Sequence, residues 1–153
     1  MKIKHLSLIL LFILPLSAFS QMKQLTLQEK IAMSDLVAIA TVERTYKGKG
    51  DQEKLGNWFA KCTVSDVFKG KFVEEMLTVN FLNVRRNRAP IRLSEGAVYL
   101  LFLKKKGDVF EMISPYQGAY AKDNDYLVHD NEYPKGIRLN FEAIVERVKE
   151  ITQ

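Results

Sequence analysis

Cysteine is almost absent: Cys62 is the single one in 153 residues. That excludes an intrachain disulfide framework and a cysteine-ligated zinc ribbon. Glycine and proline are also sparse, at 8 and 4, which excludes collagen-like and Pro/Gly-rich low-complexity architectures. Histidine occurs only as His5 and His129, so any nucleophile–base chemistry has little to draw on. No phosphate loop, dinucleotide-binding glycine fingerprint or His-Glu-x-x-His pair occurs, and no cofactor is expected. Long apolar runs are missing too, except near the N-terminus.

What is present begins there. Lys2 and Lys4 precede the apolar run Leu6 to Leu14, Pro15 ends it, and Ala18-Phe19-Ser20 offers the small residues a signal peptidase reads. The pattern predicts a signal peptide over 1–20, a mature chain starting at Gln21, and a periplasmic or extracellular destination. The run is too short to span a bilayer, so no transmembrane segment is expected after cleavage. The remaining 133 residues suit a single domain with a real core. They carry 21 basic and 18 acidic groups, a mild excess far below that of a dedicated nucleic-acid binder.

Within 21–153, Thr26-Leu27-Gln28-Glu29 reads as a capping box opening a short helix with Leu27, Ile31 and Met33. Leu36 to Val42 reads as a buried strand. Lys47 to Asp51 is turn chemistry. Asn57 to Phe68 reads as a second strand, with Trp58, Ala60, Cys62 and Val64 on one face, and Met76 to Leu82 as a third. Ala97 to Leu103, the most hydrophobic stretch past residue 20, is expected centrally in a sheet, buried on both faces. Lys104 to Asp108 is a hairpin tip leading back through Val109 to Ile113. Pro115 to Arg138 reads as irregular. Phe141, Ile144, Val145, Val148 and Ile151 follow helical spacing, with Asn140 as the cap. The expected fold is mainly β: a five-stranded barrel or curled sheet between a short N-terminal helix and an amphipathic C-terminal one.

Three segments carry a family resemblance. Ser34-Asp35-Leu36-Val37-Ala38-Ile39-Ala40-Thr41-Val42 resembles the opening strand of netrin-like domains, the group that includes tissue inhibitors of metalloproteinases. Val64-Ser65-Asp66-Val67-Phe68-Lys69-Gly70 is similar to the end of their second strand. Glu95-Gly96-Ala97-Val98-Tyr99-Leu100-Leu101-Phe102 is similar to a later one. The match runs roughly from Asp35 to Ile113. It implies an oligonucleotide/oligosaccharide-binding-type (OB) five-stranded Greek-key barrel. Animal inhibitors of the group chelate the protease zinc through an N-terminal Cys, and no Cys lies near Gln21. The resemblance therefore implies a fold and leaves function to the residues.

Those residues point to a non-enzymatic binding module more than to an enzyme. Cys62 shares a face with Trp58 and Val64, which reads as a small core hydrophobe rather than half of a Cys–His dyad. His129 sits in an acidic run from Asp123 to Glu132. That run lacks the calcium-loop order and is interrupted by Leu127-Val128, so a solvated loop is expected and no metal. Paired carboxylates for glycoside hydrolysis need a cleft that a chain this short hardly supplies. The densest charge is Arg85, Arg86 and Arg88 with Arg92, with no acid between Asn83 and Leu93. Guanidinium forks suit an acidic protein, a lipid headgroup or a polysaccharide. The bland alternative for this loop is a solubilising edge. Lys104 to Lys106 read as a solvated tip. Trp58, Phe59, Phe81, Tyr99 and Phe102 mostly fall in runs that read as core, and no nucleic acid is expected as partner. Two further readings stay open at this point: an inhibitor of an extracytoplasmic protease, and a small hydrolase or metal-dependent enzyme built on His129. Oligomeric state is not legible.

Overall fold

The computed structural model describes residues 22–83 and 89–153. Thr26 caps α1 (Leu27–Met33): its Oγ1 accepts from the Glu29 backbone N–H at 3.2 Å, and Glu29 Oε2 accepts from the Thr26 N–H at 2.9 Å. Two orphan donors of the first turn are thereby satisfied together. The chain then enters β1 (Leu36–Lys47), makes one helical turn α2 (Asp51–Lys54), and returns in β2 (Asn57–Lys69). Next come β3 (Leu77–Leu82), β4 (Val98–Lys106), β5 (Val109–Met112), β6 (Ala119–Ala121), β7 (Tyr126–Val128), β8 (Ile137–Leu139) and α3 (Phe141–Thr152).

The hydrogen-bonded order is β1-β2-β3-β5-β4, and β4 pairs back onto β1, so five strands close a barrel. All neighbours are antiparallel except β3 and β5, which run parallel through Val79–Phe110 and Asn80–Glu111. Three register shifts along β1 against β2 supply the curl that a small closed sheet needs. Alternation sorts the side chains into two cores. Leu36, Ala38, Ala40, Val42, Ala60, Cys62, Leu77, Val79, Leu101 and Leu103 fill the barrel. Val37, Leu100 and Phe102 point the other way and pack with Leu27, Ile31, Tyr120, Val128, Ile144 and Val148. β4 is thus buried on both faces from Tyr99 to Leu103, as its unbroken apolar run predicts.

α1 and α3 cover the outside of the β1–β4 wall. Asn140 Oδ1 accepts from the Ala143 N–H at 2.9 Å, and the buried stripe of α3 is Phe141, Ile144, Val145 and Val148. The entry to β1 is fixed by Asp35, whose N–H donates to Leu103 O and whose Oδ2 accepts from the Lys105 N–H, both at 2.8 Å. The turn after β2 crosses close to that entry. Gly70 has φ +85°, and a Cβ there would lie 2.2 Å from Asp35 O. Gly70→Ala is therefore expected to cost about 1–2 kcal/mol, read as a fall in the denaturant midpoint at unchanged slope.

Three expectations need correction. Pro115 to Arg138 is not irregular throughout: β6 joins the sheet beside β4, and β7 pairs with β8 as a separate hairpin. Strands of three residues contain too few alternations to show a period. The turn after β1 continues into α2, where Gly50, at φ 61°, precedes Asp51. Phe59, in a run that reads as core, is half-buried and stacks outward on exposed Tyr46, with ring centroids 5.5 Å apart.

Candidate functional site

The side chains of α1 explain where a site forms. Leu27, Lys30, Ile31 and Ser34 share its inward face, so a lysine occupies a position that the periodicity reserves for an apolar residue. Lys30 is 2% exposed. Its Nζ donates to the Tyr120 hydroxyl at 2.5 Å and lies 4.3 Å from the centroid of the Tyr120 ring. Phe102 meets Tyr120 edge-on at 5.9 Å and Tyr126 does so at 4.8 Å. The Tyr126 hydroxyl accepts from the Ala121 N–H at 2.8 Å, which pins that ring against β6. Among the described residues no carboxylate pairs with Lys30. Burial without a counter-charge pushes its ammonium down from the usual lysine range to about 8. Burial likewise pushes the Tyr120 phenol up, with Tyr126 adding to it, so that hydroxyl stays protonated.

Lys30 lines a cavity of about 310 Å³ between α1 and β6. Its walls include Tyr99, Tyr116, Tyr120 and Tyr126; Arg92 and Gln117 also line it, and no described Asp or Glu does. Gln117 spans the mouth: its Oε1 accepts from the Leu25 N–H at 2.8 Å and its Nε2 donates to Lys23 O at 2.9 Å. Tyr99 donates to Arg92 O at 3.3 Å and accepts from the Ser94 N–H at 3.1 Å, fixing the backbone that carries Arg92. An adjoining cleft, sharing Gln24, Tyr116 and Gln117, is lined also by Ala89. Two cations, one buried and one exposed, thus line a tyrosine-rich cavity that has no anion among its described residues.

Of the basic-loop residues singled out in the sequence, Arg92 is exposed and lines this cavity. Arg85, Arg86 and Arg88 lie outside the described residues. Lys104, Lys105 and Lys106 are exposed at the β4–β5 tip, where Lys106 pairs with Glu111 at 3.1 Å. Cys62 is fully buried inside the barrel, and burial pushes its thiol up to about 12, with Glu43 adding to it. Such a thiol is a core residue rather than a nucleophile.

The acidic run around His129 has a structural use that sequence reading missed. Asp130 is 0% exposed. Its Oδ2 accepts from Arg147 Nε at 3.1 Å and Nη2 at 2.7 Å, and its Oδ1 accepts from the N–H groups of Glu132 and Tyr133 at 2.9 and 2.7 Å. Arg147 also bonds Glu132 at 2.5 Å and Glu150 at 3.0 Å. Burial by itself raises the Asp130 carboxyl, and the Arg147 and Tyr133 hydrogen bonds outweigh it, leaving the group below its ordinary value. His129 Nδ1 lies 3.1 Å from Pro134 O. No three His, Cys, Asp or Glu side chains converge on a metal position among the described residues.

Lys30, Gln117, Tyr120 and Tyr126 are the residues the sequence reading overlooked. A signal existed for one of them: a lysine on the apolar stripe of α1. No protein-family model matches the chain, and no curated protein matches it.

Proposed function

We propose that the protein is an exported, non-enzymatic binding module that takes an anionic group into the cavity between α1 and β6. Lys30 is the inner cation and Arg92 the outer one. The observation that carries this reading is Lys30 itself: an ammonium 2% exposed, with one hydroxyl partner and no carboxylate, in a cavity lined by no described acid. An unpaired buried charge is destabilising, and an incoming carboxylate or phosphate supplies the missing counter-charge. The signal-like start, Lys2 to Ser20, supports export. A netrin-like ancestry belongs to the same proposal, supported by the barrel order and by Asp35 tying the opening strand to β4.

Ala89 lines the cleft that adjoins the cavity. Arg147 engages Asp130 and Glu132, the two carboxylates nearest His129 in sequence, which favours binding over catalysis at that run. Calorimetric titration of the folded chain with acetate, succinate and inorganic phosphate tests the reading. The parent is expected to bind at least one of them, more weakly as salt rises, and Lys30→Met to bind none. Unchanged binding by that variant places the ligand elsewhere.

A further inference from the structure

We propose that Lys30 forms a reversible imine with a small aldehyde or 2-oxo acid drawn into this cavity, Arg92 holding the carboxylate of an oxo acid. The inference rests on the anion-binding reading for its recognition step and adds a covalent one. Three features of the molecule converge on it. The amine lies at a cavity wall rather than on open surface, so a ligand reaches it only through a defined volume. The Tyr120 hydroxyl stands 2.5 Å from Nζ, close enough to take one proton from the nitrogen and give its own to oxygen. The rings of Tyr120 and Phe102 lie 4.3 and 5.9 Å from Nζ at their centroids, an apolar surround that limits water and favours the dehydrated adduct.

The step balances without an oxidant or reductant. The Nζ lone pair adds to the carbonyl carbon, a C–N bond forms, and a proton moves from nitrogen to the former carbonyl oxygen. The resulting carbinolamine loses its hydroxyl and the second nitrogen proton as water, leaving C=N. Return of water reverses it.

Burial supports the chemistry. With Nζ pushed down to about 8, roughly a quarter of Lys30 is free amine at about pH 7.5, against on the order of one in a thousand for a solvated lysine. A lower basicity also lowers intrinsic nucleophilicity, so the net advantage is smaller than that ratio. The exposed Lys104 and Lys105 carry no such cavity and serve as internal controls.

The test is reductive trapping on the full chain. Incubation with glyoxylate and cyanoborohydride at pH 7.5, followed by peptide mapping, is expected to label Lys30 at least tenfold faster than Lys104 or Lys105. Arg92→Gln should slow glyoxylate labelling of Lys30 several-fold more than it slows labelling by acetaldehyde, which has no carboxylate. Lys30→Met, with its melting curve confirming the fold, should lose the fast site altogether. Labelling of Lys30 no faster than that of the exposed lysines overturns the inference. If acetate, succinate or phosphate still binds the parent in that case, the anion-binding reading survives alone. If Lys30 is labelled rapidly while acetate, succinate and phosphate all fail to bind, the imine stands and the anion reading falls.

Discussion

Asp130→Ala is expected to lower the unfolding free energy by about 3 kcal/mol, the lower end of what removing one partner of a buried ion pair costs. The reason is specific. Asp130 is wholly buried and accepts four hydrogen bonds, two from Arg147 and two from the backbone of the following loop. Removing it leaves two backbone N–H groups without their acceptor and Arg147 with only Glu132 and Glu150, and loosens α3 from the loop that also bonds α1 through His129 O to the Leu27 N–H at 2.8 Å. Arg147 is about a quarter exposed at its side chain, so water recovers part of the loss. The pH dependence has a definite sign. The folded-state carboxyl titrates below its ordinary 3.8, so its contribution is complete above that value and disappears as the pH falls through the lower, folded one. Parent and variant should differ most in denaturant midpoint above pH 5 and converge in strong acid.

Lys30→Met should act in the opposite direction on stability while removing binding. A lysine whose titration is shifted from 10.5 to about 8 on folding carries a penalty of about 3 kcal/mol wherever both states are protonated. Methionine fills a similar volume without a charge, and the lost bond to Tyr120 takes back about 1 kcal/mol. The net is a variant more stable by about 2 kcal/mol at pH 7, roughly 6 °C in melting temperature. Because the folded state gives up its proton first, the parent gains stability as the pH rises from 8 towards 10.5. The advantage of the variant should therefore fade across that window and not below it. A residue whose replacement stabilises the fold and abolishes binding is held there for a purpose other than folding.

The parts of the fold legible in the sequence are those with local signals. The Thr26–Glu29 capping box, the apolar run of β4 and the helical spacing of α3 with its Asn140 cap each encode an element within a dozen residues. β6, β7 and β8 went unseen because three residues hold no period. The acidic run was visible as charge, but its partner Arg147 lies 17 residues beyond Asp130, and only docking of α3 reveals it. The cavity is harder still, because Lys30 and Tyr120 are 90 positions apart and meet only when the barrel closes beneath α1. Arg92 stands out in the sequence by its charge and does line the cavity, whereas Lys30 sits within an otherwise ordinary helix stripe.

Proton linkage is the sharpest probe of Lys30 as the inner counter-charge for a bound anion. At pH 8 about half of Lys30 is unprotonated, and an anion settling beside it restores the charged form. Titrating the parent with acetate or succinate at pH 8 in Tris and again in HEPES, buffers of different ionisation heat, counts the protons taken up. The expected uptake is about half a proton per ligand at pH 8, falling to near zero at pH 6 and absent from Lys30→Met. Binding at pH 8 with no proton uptake would contradict it.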